Sequence, residues 1–425
     1  MTDAPTPILR RISPTQADRP PSPPLDDPIL PEVRAIIRDV RERGEGGVQD
    51  HALRLGDLKP GQPLVLGRDD MAAALDKIDA PDRSALERAA QRIRAFAEAQ
   101  REAIRPMSMA IPGGRAGHTI EPIQSAGCYA PCGRYPLPSS VLMTAVTARA
   151  AGCARVVVAS PGAEPVILAA AAIAGADQFL AVGGVQAIAA LAFGIRGLDP
   201  VDLIVGPGNR WVTAAKRLLA GAVGIDMLAG PSELLILADD SADPALVAGD
   251  LLAQAEHDAD AVPMLVTPSP VLADSVDRHL GAQLPDLPTR EVARAALANG
   301  FACVVRDLSE GIEVANRLAP EHLQIHTQDP EQIARRVVNA GALFIGPASA
   351  EVIGDYGAGP NHTLPTGRTA RFAAGLSVAH FLRMRTWMQI DSPPRAGPLL
   401  ADTERLARLE GLHAHASAAA RRRSS

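Results

Sequence analysis

Cysteine is scarce in this chain: there are four in 425 residues, at positions 128, 132, 153 and 303. So sparse a set does not build the disulfide framework on which small secreted domains rely, and it points to a reducing, cytoplasmic setting. Clustered positive charge is missing too. The formal net charge is -6, and a surface for polyanions needs grouped Lys and Arg, so nucleic acid is not an expected partner. The one basic run, Arg421 to Arg423, reads as a solvated tail. Long apolar runs are also lacking. The first thirty residues are rich in proline and charge and hold no apolar stretch of the kind a secretory signal requires. Stretches such as PVILAAAAIAGA are too short for a bilayer and suit a buried helix, so no membrane contact is expected.

What is present is core-forming material. With 47% hydrophobic and 21% charged residues, a chain of this length can form two or three domains with real cores. After an N-terminal arm, residues 31–104 read as helices, with Leu86, Ala90, Ile93 and Ala97 recurring at helical spacing. From Ala154 onward, short β-branched runs at 156–158, 179–182 and 201–205 alternate with alanine-rich helical segments, which is a βαβ pattern. The alternation restarts at Glu233 with ELLILA, MLVT, ACVV, HLQI and ALFI as strands. The expected fold is therefore α/β, with two parallel-sheet units in series. Ligands of open parallel sheets bind beyond the carboxyl ends of the strands, so the loops there are expected to carry the site. Past Leu376 the strand pattern is lost, and residues 402–420 read as one helix-like segment holding Glu410, His413 and His415.

Three sets of residues have the chemistry of a site. Gln254 and His257 fall late in a helix expected from Pro244 to about His257, and residues three apart are neighbours on a helix, so an amide oxygen and an imidazole can address one ion. Alternatively His257 caps the helix end and Gln254 faces water. Asp355 and His362 in GDYGAGPNH, and Glu410 and His415 in EGLHAH, are further donors that together offer a Gln, His, Asp, His set to a metal such as zinc. No local zinc-finger spacing links them, so only tertiary or quaternary folding can assemble them. In Ala319-Pro320-Glu321-His322-Leu323, the proline ends the preceding helix and Glu321-His322 opens a strand. A turn there lets a base near pH 7 and a carboxylate share one cleft; a paired surface Glu and His is the other reading. Last come the glycine turns at 127–133, 181–190 and 204–209, each before a helix, where backbone N–H groups can approach phosphates. None completes GxGxxG, and simple tight turns remain the alternative.

Laid end to end, YAPCGRYPLPSSVLMTA, VGGVQAIAALAFG, VGPGNRWVTAAKR, GIDMLAGPSELLILAD, DLLAQAEHD, RLAPEHLQI, GDYGAGPNHTLPTGRTARF and EGLHAH closely resemble the histidinol dehydrogenase family over most of the chain. The resemblance implies two tandem, incomplete Rossmann-like parallel-sheet domains with an N-terminal helical layer and a C-terminal dimerisation tail. The implied boundaries are an arm over 1–27, a first α/β domain of 28–121 plus 233–370, a second over 122–232 that grooves NAD, and a tail over 371–425. It implies a homodimer in which Gln254, His257 and Asp355 bind one zinc per subunit with His415 of the partner subunit. It further implies that Tyr129, Gln186 and Asn209 contact NAD, and that Ser232, His322, His362 and Glu410 of the partner subunit surround the substrate with the metal ligands. The implied chemistry is a four-electron oxidation of histidinol by two NAD, with His322 taking the hydroxyl proton and Glu321 activating water for the aldehyde step. Cys132 stands where the family's turn usually has glycine, and Thr147 replaces a common proline. Two other readings differ in substrate or class: a zinc and NAD dehydrogenase of another small diol, such as a sulfonated one, and a zinc hydrolase with Glu321 as base. Glu410, able to pair with a cationic imidazole or amine, favours histidinol.

Overall fold

The computed structural model describes residues 7–18, 27–132 and 135–423. Parts of the expected arm, and Gly133 at the close of the first glycine turn, lie outside the described residues. Among the described residues the fold rests on two six-stranded sheets and one three-stranded sheet.

In the first sheet the strand order is Val65–Leu66, Gln178–Leu180, Arg155–Ala159, Ser125–Tyr129, Leu203–Val205, Gly224–Ile225. All pairs are parallel except that of Val65–Leu66, which adds an antiparallel edge. In the second the order is Arg10–Ile12, Phe301–Val304, Val262–Thr267, Glu233–Ala238, His322–His326, Ala342–Ile345, parallel throughout. The strands Glu233–Ala238 and Val262–Thr267 are buried at every position, as parallel strands covered on both faces must be. Their apolar runs made them legible. The α/β class with two parallel-sheet units is therefore the observed one.

Helices pack on these sheets for reasons visible in the chain. The Pro138–Ala151 helix starts with proline at its first turn and is buried around nearly its whole circumference, held between the sheet and the Ala80–Ala103 helix. The Ala80–Ala103 helix buries only Ala90, Ile93 and Ala97, one stripe, as its periodicity predicts. The N-terminal helices share a single core with the first sheet, from Val33 and Ile36 through Ala97 to Ala126 and Val205. This differs from the implied grouping of 28–121 with 233–370, because the apolar stripes of Leu30–Arg43 and Glu45–Leu55 face the Gly184–Phe193 helix.

Three further features depart from expectation. Arg10–Ile12, in the expected arm, is a strand paired with Phe301–Val304. Leu382–Ile390 is a nine-residue strand where the strand pattern was expected to be lost, and it pairs antiparallel with Gly114–Pro122, which pairs with Met107–Ile111. Its sequence, LRMRTWMQI, alternates charged and apolar residues and so shows no apolar run. The tail is two helices, Gly397–Leu409 and His413–Arg423, broken at Gly411 with φ 73°. No helix among the described residues is long and apolar enough to cross a membrane.

Candidate active site

The chain leaves the first sheet at Gly224–Ile225 and enters the second at Glu233 through a short connection. That path sets the carboxyl edge of the first sheet beside the amino edge of the second, and the expected residues collect between them. Tyr129 and the turns at 181–184 and 206–209 lie at carboxyl ends, as the sequence predicts. Ser232, Glu321 and His322 instead lie at the amino ends of their strands, so the rule for open parallel sheets fails for this half. Cross-links tie the two halves together: Asn361 Nδ2 donates to the Met143 carbonyl at 2.7 Å, and His362 Nε2 stands 3.4 Å from Ser140 Oγ.

Glu321 and His322 are buried, to 6% and 4% exposure, with Glu321 Oε2 3.6 Å from His322 Nδ1, which removes the surface-pair reading. The helix Leu308–Leu318 stops at Ala319 in the left-handed region, φ 45°, and Pro320 prevents its continuation. The strand then opens, and both side chains grip the same neighbour. Glu321 Oε2 accepts the Glu233 backbone N–H at 2.8 Å, while His322 Nδ1 donates to the Glu233 carbonyl at 3.1 Å. The carbonyl fixes the proton on Nδ1, leaving Nε2 as a lone-pair base that is buried and has no partner. Burial lowers the His322 pKa to about 4, so the ring is neutral at pH 7. Burial pushes Glu321 well above the usual carboxylate range, against hydrogen bonds from the Glu233 backbone and the Ser232 hydroxyl.

Beside this pair is a set of metal-type donors. Gln254 lies in the last turn of Pro244–Ala255, and His257 follows just past the helix end. The carboxyl end of a helix carries partial negative charge, which suits a cation. Gln254 is fully buried, yet neither amide atom has a partner, a state that costs about 1–3 kcal/mol per group unless a ligand supplies the contact. The water-facing reading of Gln254 is thereby excluded. His257 Nε2 stands 3.5 Å from Asp355 Oδ2, and Asp355 Oδ1 stands 4.0 Å from His322 Nε2. Burial alone would raise Asp355; the His257 hydrogen bond and the nearby histidines hold it below its ordinary value. Asp355 in turn holds His257 up. His362 Nδ1 donates to the Asp355 carbonyl at 2.9 Å, which orients its ring, and burial lowers its pKa.

The structure adds Glu351, which sequence reasoning missed. It is 2% exposed, and its carboxylate, His257 and Asp355 offer ligand atoms within 4.8 Å of one another. The signal was present, since Glu351 and Asp355 are four apart on one short helix. A cavity of about 410 Å³ opens here, between His322, Asp355 and His362 on one side and Phe344, Ile345 and Ile353 on the other. Glu410 and His415 are not brought to it. Both are exposed, Glu410 in the turn between the tail helices and His415 on the second of them, and those helices pack chiefly on each other and on the turn Pro393–Ala396.

The glycine turns surround a second region. Gly206, φ 119°, packs so tightly that a β-carbon would meet the Tyr129 carbonyl oxygen at 2.0 Å. A buried ion pair holds that turn: Lys216 binds Asp226 and donates to the Gly206 carbonyl at 3.0 Å, while Asp226 accepts the Gly206 N–H at 2.7 Å. Asn209 Oδ1 caps the Arg210–Leu219 helix through Trp211 and Val212. The Tyr129 hydroxyl accepts the Gly184 N–H at 3.1 Å, and burial raises its pKa to about 12. Gln186, 1% exposed, lies 3.5 Å from Asp57. Of the three helices that follow glycine turns, only Arg210–Leu219 is capped by the side chain of its own N-cap residue. The Cys128, Cys153 and Cys303 thiols are buried and held protonated by that burial, so no thiolate nucleophile faces the cleft from them.

The family model for histidinol dehydrogenase matches residues 24–423. A histidinol dehydrogenase of Thermus thermophilus is 45% identical over 393 residues, covering 92% of this chain and 94% of that protein. One from Parasynechococcus marenigrum is 44% identical over 398 residues, covering 92% and 90%. The crystal structure of histidinol dehydrogenase from Elizabethkingia anophelis superposes with a TM-score of 0.91 at 30% identity, covering 98% of each chain. Matched by the family model over nearly its whole length and by relatives at 44–45% identity, the chain belongs to the histidinol dehydrogenase family of oxidoreductases.

Proposed function

We propose that this enzyme oxidises L-histidinol to L-histidine in two successive hydride removals, with NAD as acceptor and one zinc per subunit, in a homodimer that shares its active sites. The observation that carries the metal half is Gln254: a buried amide with no partner beside His257 and Asp355 is a donor set short of its ion. The residues present fit zinc, with His415 of the partner subunit as the fourth ligand. Bound there, zinc supplies orientation and charge stabilisation to the substrate. NAD supplies the hydride acceptor, and Tyr129, Gln186 and Asn209 are the residues proposed to position it on the carboxyl edge of the first sheet.

The protein's own groups handle the protons. His322 Nε2 takes the proton from the primary hydroxyl as the carbon loses hydride, giving the aldehyde; its Nδ1–H stays on the Glu233 carbonyl throughout. Glu321, when ionised, takes a proton from water as the oxygen attacks the aldehyde carbon, and the aldehyde oxygen takes back the proton held by His322. The gem-diol then loses the second hydride as His322 removes a hydroxyl proton, and the acid formed ionises to the carboxylate. Because burial raises Glu321, this step gains as pH rises. Ser232 and His362 line the substrate's approach, joined by Glu410 of the partner subunit, whose carboxylate suits a cationic imidazole or amine.

A second copy is supported by surface chemistry. Met107, Met109, Met384 and Met388 are 45–70% exposed and share one face of the three-stranded sheet, with Ala116, His118 and Ile120 between them in register. Leu406, Leu409 and Leu412 are exposed on the tail. Apolar area left uncovered on this sheet face and on the tail suits another copy. The test is NADH formation from L-histidinol before and after verified metal removal, with His322→Ala alongside. Activity should need the metal and fall about 10²–10⁴-fold in the variant while its zinc content stays near that of the parent. Undiminished oxidation by the metal-free enzyme would overturn the ligand assignment.

A further inference from the structure

In the first sheet, the helix Gly184–Phe193 follows a glycine turn at the end of Gln178–Leu180, two strands from the central one, and free backbone N–H groups at such a helix start can receive phosphate. Here that end is already taken. Asp57, from the loop after the Glu45–Leu55 helix, reaches across so that its Oδ2 accepts the Gly183 N–H at 2.9 Å and lies 3.5 Å from Gln186 Nε2. The next N–H, of Gly184, goes to the Tyr129 hydroxyl. Asp57 is half-buried, and its Oδ1 makes no hydrogen bond to the described residues. The charged groups that act on the neighbouring Cys132 thiol are Asp57 and Glu164, both acidic. A phosphate has no place at such an end, whereas a vicinal diol, with two O–H donors, does.

Resting on the reading of NAD as hydride acceptor, we infer that Asp57 is the specificity-determining carboxylate of the nucleotide site, accepting from the adenosine ribose hydroxyls and repelling a 2′-phosphate. The nicotinamide has to reach the carbon beside His322, on the side where His362 meets Ser140 at the start of the Pro138–Ala151 helix. Asp57 sits by the end of Gln178–Leu180, two strands away from Ser125–Tyr129 in the sheet order, a lateral distance of roughly 10 Å. That separation places it at the far, adenosine-bearing half of a dinucleotide. In ordinary dinucleotide folds the ribose acid is supplied by the βαβ unit itself; here the helical layer supplies it, and so no acid at the usual spacing marks the sequence.

The test is calorimetric binding of NAD, NADP, AMP and adenosine 2′,5′-bisphosphate to the intact enzyme, with Asp57→Asn and Asp57→Ser, both of which keep an acceptor for the Gly183 N–H. The parent should bind NAD and AMP more tightly than their 2′-phosphorylated forms. Each variant should narrow that preference at least about tenfold, mainly through tighter binding of the phosphorylated ligands. A lower melting temperature with the preference unchanged makes Asp57 a helix cap only and overturns the inference, as does equal weakening of all four ligands. A parent that binds no nucleotide removes the NAD reading itself, and this inference with it.

Discussion

Asp250 shows at the scale of one residue how much free energy the fold invests behind the site. It lies one turn before Gln254 on the same helix, and its Oδ2 accepts from Gln324 Nε2 at 2.7 Å. His326 Nε2 is 3.7 Å away, but burial lowers the pKa of that ring, so it offers no compensating cation. Burial raises Asp250 from 3.8 to about 6. A carboxyl group whose pKa is higher in the folded state binds its proton more tightly there. The associated stability is present in full below pH 3.8 and is lost as pH rises through about 6. Asp250→Asn keeps an acceptor for Gln324 and never ionises. It should therefore stabilise the protein by about 1–3 kcal/mol at pH 7.5 and by less than half as much at pH 4.5. Paired denaturant titrations at the two pH values measure this; an equal gain at both would mean that ionisation is not the cause.

At the scale of elements, the helix Arg210–Leu219 is tied to the glycine turn before it by Lys216 and Asp226, whose side chains are 3% and 0% exposed. Removing one member leaves the other as an unpaired buried charge, so Lys216→Met should destabilise by about 3–5 kcal/mol. Adding Asp226→Asn should recover much of that loss, and thermal unfolding of the single and double variants measures the difference. A double variant as unstable as the single one would refute the pairing argument. Elements of this kind also mark the boundary of what the chain discloses. The buried parallel strands announce themselves as apolar runs, and Glu321-His322 is legible because Pro320 fixes where its strand begins. Leu382–Ile390 is not, because its apolar residues alternate along the chain with Arg383, Arg385 and Gln389 and so form no run. That the site forms at the amino edge of the second sheet is not legible either, because it depends on how one sheet is set against another rather than on any local pattern. Gln254 looks the same in sequence whether it faces water or an ion, and only its burial without a partner separates the two. Asp57 acts far from its place in the chain and carries no local signature.

At the scale of the whole molecule, Glu410 and His415 stand exposed on a tail that packs chiefly on itself, while the cavity beside His322 and Asp355 is lined on one side by partly exposed Ile345 and Ile353. A tail that serves its own subunit and a tail that serves a second copy make opposite predictions for mixed dimers. Let one subunit carry His257→Ala and the other His415→Ala. If each site takes His415 from the partner subunit, the mixed dimer has one site with both defects and one with none. If each site uses its own tail, both are damaged. The two parent variants should each be nearly inactive. After subunit exchange in an equimolar mixture, half the dimers are mixed and half of their sites are intact, so about a quarter of full activity should return. Steady-state NADH formation before and after exchange measures it, with mixed dimers confirmed by differential tagging. Failure to regain activity in verified mixed dimers would confine the tail to its own subunit and remove His415 from the shared metal site.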